Sequence, residues 1–171
     1  MNIHPLFVHF PIALLVMYVL LVLAAPWLKH RIAGYNKIKL FLLFSGTLAL
    51  YPTLITGSLA AAIVGENDLI ETHETMAAVT TLLFSTLAGV HLLNILTDIN
   101  FVKSLSDKYR AIANLLRYLH IIKGILLKPC IYTIVVTLAL IAVTITGALG
   151  ASIVYGPQVD PFVNFVYNIF L

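Results

Sequence analysis

The chain has 171 residues, of which 61% are hydrophobic and 10% charged, with a net charge of +3 and a mean hydropathy of +1.02. Soluble domains carry roughly 45–50% apolar and 25% charged residues, and a soluble chain this small has too little interior to hide the excess. A soluble enzyme, a secreted module and a disordered chain are excluded, which leaves a polytopic membrane protein.

The first apolar run covers residues 6–28 and follows an opening, HPLFVHFP, that holds His4 and His9. Pro5 suits a first helical turn, and Pro11 lacks a backbone donor and predicts a kink just below His9. Further runs cover 38–64, 74–97 and 130–155. Each approaches or exceeds the roughly 20 residues that cross a bilayer. Backbone polar groups in lipid must be satisfied internally, so helices are expected. The predicted fold is an all-α membrane protein, one domain over 1–171 with four transmembrane helices in a bundle. No basic N-terminal region precedes a small-residue cleavage site, so no cleavable signal peptide is read.

Between the third and fourth runs, residues 108–127 place Ile112, Leu115, Leu116, Leu119, Ile122 and Leu126 at helical spacing. Arg110, Asn114, Arg117 and His120 cluster opposite, as in an amphipathic, basic, interfacial helix. Pro129 suits the first turn of the fourth span. Gly156 and Pro157 end that span. The tail from Asp160, DPFVNFVYNIFL, is aromatic and apolar, and is expected to lie along the outer interface or to dock on a partner subunit.

The charges fix an orientation. Lys29, Arg31, Lys37 and Lys39 lie between spans one and two, and Lys103, Lys108, Arg110, Arg117, Lys123 and Lys128 between spans three and four. Glu66, Asp68, Glu71 and Glu74 lie between spans two and three, and Asp160 follows span four. The positive-inside rule then places both termini outside a cell membrane and both basic loops in the cytoplasm. The basic residues are spread over two short loops without a binding motif, so no nucleic-acid partner is expected.

Residues 47–64 read TLALYPTLITGSLAAAIV and residues 137–154 read TLALIAVTITGALGASIV, identical at eleven of eighteen positions. Spans two and four run in the same direction. The repeat therefore predicts two helical hairpins related by a pseudo-two-fold axis along the membrane normal. Gly57, Ala60, Ala61, Gly147, Gly150 and Ala151 let backbones, or a flat ligand, approach closely. Plain helix–helix packing explains the same small residues.

Six histidines are many for such a chain, and ionisable groups at membrane depth are functional candidates by default. His73 opens span three and His91 lies eighteen residues further on. Both share one face, roughly 27 Å apart along the axis, with Ala77, Thr80, Phe84 and Ala88 between them. Such a face suits b-type haem held by axial imidazoles from facing helices. For an outer haem His73 pairs with His9 or His4. For an inner haem His91 needs a partner, and only His30 and His120 remain. Both of these also read as interfacial side chains that reach the headgroups. A second chemical reading of the outer residues places copper or zinc on His4, His9, His73 and Glu74. Cys130 offers neither a CxxC motif nor an intrachain disulfide. No GxGxxG, P-loop or nucleophile elbow occurs.

The opening His4-Pro5-Leu6 and Val8-His9-Phe10-Pro11-Ile12-Ala13-Leu14 resembles the N-terminal signature of the prokaryotic membrane family called domain of unknown function 2231. His73 matches the histidine that opens the family's third span. Gly147 to Tyr155, followed by Val159, is similar to its small-residue stretch and Val-Tyr-x-x-Gly-x-x-Val ending. The family often has a histidine where this chain has Ala148, and often lacks the aromatic tail. The resemblance implies a four-helix membrane protein working beside Rieske or c-type cytochrome modules, hence membrane electron transfer.

Two functional readings follow. One is an electron-transfer subunit that holds one haem b, or two, through His9, His73, His4 and His91, in contact with a membrane quinone and an outer redox protein. The protein's part is ligation, orientation and burial. The other is a non-redox anchor or assembly subunit whose small-residue faces and tail dock a larger complex.

Overall fold

The computed structural model describes residues 4–65, 67–97, 99, 102, 104 and 108–171. Glu66 and Lys103 of the charge pattern lie outside the described residues. The described chain is helical. Its elements are α1 (His4–Leu23), α2 (Ala25–Leu28), α3 (Tyr35–Val64), α4 (Asp68–Leu96), α5 (Arg110–Leu126), α6 (Pro129–Tyr155) and α7 (Pro161–Phe170). Four of them, α1, α3, α4 and α6, are long and apolar enough to cross a membrane. They are apolar almost all round, as suits helices that face lipid on one side and protein on the other. Only α5 and α7 are strongly amphipathic.

The four long helices form a ring in which α1 packs on α3, α3 on α4, α4 on α6 and α6 on α1. This leaves α1 diagonal to α4. The main core lies in one half of the ring, where Leu15, Tyr18, Val19, Leu43, Phe84, Leu87, Val136, Ala139 and Val143 interlock. Gly46 lets α1 and α3 approach: a Cβ there would lie 2.7 Å from Leu15 Cδ2 and Cγ. Lipid offers helices no hydrophobic gain on association, so such close contact and interhelical hydrogen bonds carry the assembly.

Several boundaries differ from expectation for local reasons. The first span stops at Leu23, because Pro26 denies its turn a backbone donor, and the short α2 follows. Tyr35 Oη donates to the Leu21 carbonyl at 2.6 Å, serving a group that the break leaves without a helical partner. Pro11 lies inside the continuous α1. Its missing amide would have bonded Phe7; Thr53 Oγ1 of α3 stands 3.3 Å from the Phe7 carbonyl, with its shorter bond, 2.8 Å, to the Ala49 carbonyl of its own helix. The third helix begins at Asp68, six residues before the expected 74. Asn67 Oδ1 accepts from the Ile70 amide at 2.9 Å, and Asp68 and Glu71 complement the helix dipole.

The amphipathic helix appears as α5, close to its expected bounds. Lys123 Nζ donates to Asn94 Oδ1 of α4 at 3.2 Å, while Leu115, Tyr118, Ile122 and Ile125 are exposed. The aromatic tail forms α7, capped by Asp160 Oδ1, which accepts from the Phe162 and Val163 amides at 2.8 and 2.9 Å. It docks on its own chain: Val163 and Val166 pack with Ala148 and Leu149 of α6. Phe162, Phe165 and Ile169 face outward.

Candidate functional site

Two polar sites sit at opposite ends of the ring. The first joins α1, α3, α4 and α6 near the N-terminus and is called the histidine end. His4, in the first turn of α1, is half-buried, and its Nδ1 lies 3.2 Å from Thr56 Oγ1 of α3. The Thr56 hydroxyl donates to the Thr53 carbonyl at 3.0 Å, so toward the ring it accepts and Nδ1 carries the proton. The Thr53 carbonyl also interacts with this ring. His73, in the second turn of α4, is half-buried too. Its Nδ1 donates to the Thr146 carbonyl of α6 at 3.1 Å. Only an N–H can bond a carbonyl, so in His73 the in-plane lone pair is on Nε2.

Glycines seat both rings. A Cβ at Gly57 would lie 3.2 Å from His4 Cε1, and one at Gly150 would lie 3.2 Å from His73 Cε1. The two imidazoles come from diagonal helices and are close enough to interact electrostatically. The surrounding lining is small and hydroxylic. Thr80 Oγ1 bonds Thr146 Oγ1 at 3.0 Å, and Thr146 Oγ1 also donates to the Ala142 carbonyl at 2.8 Å.

His9 lies elsewhere. It is exposed, and its Nδ1 donates to the Pro5 carbonyl of its own helix at 2.8 Å. Five residues separate it from His4, or about 140° of helical rotation, so the two rings leave α1 on different sides. The structure thus brings His4 and His73 into the ring and turns His9 away. Among the described residues no group of three or more His, Cys, Asp or Glu side chains is gathered. The four donors of a closed zinc site are not assembled there. Cys130 is exposed at the start of α6.

The second site occupies the opposite, basic end. His91 Nε2 lies 2.8 Å from Tyr132 Oη, and Tyr132 Oη lies 2.6 Å from Tyr18 Oη. The chain of three groups links α4, α6 and α1. Lys39 of α3 places its ammonium 5.9 Å from the centre of the Tyr132 ring, within cation–π range. His91 and Tyr132 meet edge to face at 5.7 Å, and Tyr18 meets Phe84 likewise at 6.5 Å. His91 therefore pairs with a phenol, whereas His30 and His120 are exposed. His120 Nδ1 donates to the Leu116 carbonyl of its own helix at 2.9 Å.

The sequence singles out His73, His4 and His91, which lie in the two polar sites, but not Tyr18, Tyr132 and Lys39. The signal was present for Tyr132, which lies in the first turn of a span, where a lone phenol needs a partner. Tyr18 offers no such signal, since a tyrosine within an apolar run reads as core. Compared with known proteins, this chain matches no family model, no curated protein and no solved structure.

Proposed function

We propose that the chain is a membrane electron-transfer protein that holds one b-type haem at the histidine end, with His4 and His73 as axial ligands. One observation carries the reading: two imidazoles from diagonal helices, each with Nδ1 within hydrogen-bond reach of an oxygen of a neighbouring helix, lie close enough to interact. A hydrogen bond at the other ring nitrogen fixes a ligating histidine's tautomer and ring orientation and raises its basicity. Gly57 and Gly150 let the two rings approach α3 and α6, since a Cβ at either would lie 3.2 Å from the ring's Cε1. The bound haem would supply one-electron chemistry. The chain's own residues supply the two nitrogens, a lipid-covered wall and the hydroxyl-lined seat.

The same contacts support the pseudo-two-fold relation of the hairpins. Thr56 and Thr146 are equivalent in the sequence repeat, and each serves the histidine that opens the preceding span. The relation is approximate, because Gly57 corresponds to Gly147 whereas the His73 ring rests on Gly150. Nε2 of His91 is engaged by Tyr132, so the proposal takes a single haem. With the basic loops in the cytoplasm, the haem faces the outside of the cell membrane. There it can exchange electrons between a quinone and an outer Rieske or c-type cytochrome partner. The resemblance at HPLFVHFPIAL points the same way.

The absorption spectrum of the protein, purified in mild detergent after expression with haem supplied, tests the reading. A Soret band with α and β bands sharpening on dithionite is expected, with one haem per chain by pyridine haemochrome. His4→Ala and His73→Ala each abolish the bands, and His9→Ala retains them. A folded, colourless protein sinks the haem, and bands that survive both substitutions sink the ligand assignment. The colourless outcome would favour an anchor subunit, for which the outward Phe162, Phe165 and Ile169 of α7 are the available contact face.

A further inference from the structure

The loop between α1 and α3 folds into an open basin of about 640 Å³ lined by Lys29, His30, Lys37, Lys39 and the ring of Tyr35. Every ionisable side chain on its wall is a base, apart from the phenol of Tyr35, whose hydroxyl is committed to Leu21. Lys29 and Lys37 stand exposed at the mouth. Lys39 is half-buried at the back, held over the Tyr132 ring. Among the described residues the acids Asp68, Glu71, Glu74 and Asp160 sit at the histidine end, and no carboxylate reaches the basin. A partly buried ammonium gains from a nearby negative charge, because attraction offsets the hydration lost on burial. An anion in the basin would supply that charge.

The placement narrows the anion. Ala25 and Lys29, on either side of Trp27 in the chain, line the basin just past the end of the first spanning helix, and Trp27 is 69% exposed. Tryptophan at that depth belongs to the headgroup layer. Lysine is a compact point charge that binds phosphate well without bidentate geometry. Basic pockets between helices at this level hold anionic lipid headgroups.

We propose that Lys29, Lys37 and Lys39, with His30, form a binding site for a phosphate group, which the surrounding bilayer supplies as the headgroup of an anionic lipid. This site is independent of the haem reading.

Trp27 is the chain's single tryptophan and reports on the site directly. The protein is reconstituted into phosphatidylcholine vesicles containing brominated phosphatidylglycerol or brominated phosphatidylcholine, and quenching of Trp27 is compared. Preferential quenching by the anionic lipid is expected, roughly fivefold for each lysine engaged. Lys29→Gln with Lys37→Gln removes the preference, while Arg110→Gln with Arg117→Gln on α5 leaves it. A parallel arm titrates pyrophosphate in detergent against the Trp27 emission. A response there that the Lys29/Lys37 variant abolishes, without lipid preference, retains the phosphate site and moves its source to free phosphate. Equal quenching by the two lipids together with no pyrophosphate response overturns the site. A preference that the α5 variant reduces as much as the basin variant overturns it as well, since it would reflect general attraction to a cationic surface.

Discussion

The two ends of the bundle meet the same difficulty, polar side chains in an apolar layer, in different ways. At the basic end the polar atoms close on one another. Tyr18, Tyr132 and His91 form a chain with Lys39 above it, and Leu15, Val19, Leu43, Phe84 and Val136 fill the space below. At the histidine end the imidazoles and threonine hydroxyls bond both one another and the helix backbones, and glycines stand against the two rings. In α1 no described residue before Pro11 is buried. Helix α1 is thus packed at one end and open at the other.

The largest expected effect tests the packed half. Phe84 is fully buried, and truncating such a ring leaves a cavity that neighbours refill only partly. Phe84→Ala should lower stability by about 3 kcal/mol in reversible unfolding from mixed micelles. Met76→Ala, at the half-open end, should lose less than half as much. Equal losses would mean that the two ends are packed alike.

Next comes Gly46. Leu15 has no exposed surface and cannot retreat from a Cβ at 2.7 Å, so Gly46→Ala should destabilise by about 1–3 kcal/mol through overpacking. Gly89→Ala meets nothing within 4 Å and should be neutral, or slightly stabilising through helix propensity. Unchanged stability in Gly46→Ala would show that α1 and α3 do not approach so closely.

The polar chain should contribute less than either. Tyr132→Phe removes both hydrogen bonds of the central phenol, and interhelical bonds in membranes average well under 2 kcal/mol. A loss of about 1 kcal/mol is expected. In a double-mutant cycle with Tyr18→Phe the two losses should not add, because each substitution breaks the same 2.6 Å bond. Additive losses would remove the chain as a unit.

This contrast between the ends was partly legible in the sequence. Hydropathy gives the four spans because the lipid forces a nearly continuous apolar run, and eighteen-residue spacing gives the shared inward face of His73 and His91. Hydropathy cannot give the start of α4, since DLIETHE is polar and its helix rests on the Asn67 cap and the dipole. Nor can it choose His4 over His9. Both flank the same proline-rich turn, and the choice depends on which side of α1 meets Thr56 of α3, a tertiary fact. The tail reads as apolar, yet its docking on Ala148 and Leu149 depends on the turn that Gly156 makes at φ +88°.

The smallest effect is the most discriminating for the histidine end. In the sequence repeat Gly147 is the partner of Gly57, so a symmetric bundle would place His73 over Gly147. The structure places nothing within 4 Å of a Cβ at Gly147 and puts the His73 ring over Gly150. Gly150→Ala should therefore push the ring by a few tenths of an ångström and lengthen its bond to the Thr146 carbonyl, now 3.1 Å. Gly147→Ala should leave that bond alone. Side-chain ¹⁵N NMR of His73 reads the difference directly, because the Nδ1 shift follows the strength of its hydrogen bond. A shift in Gly150→Ala alone would place the second hairpin's ring contact one turn away from the first's. A shift in Gly147→Ala alone would restore strict equivalence, and with it a site in which His4 and His73 are interchangeable.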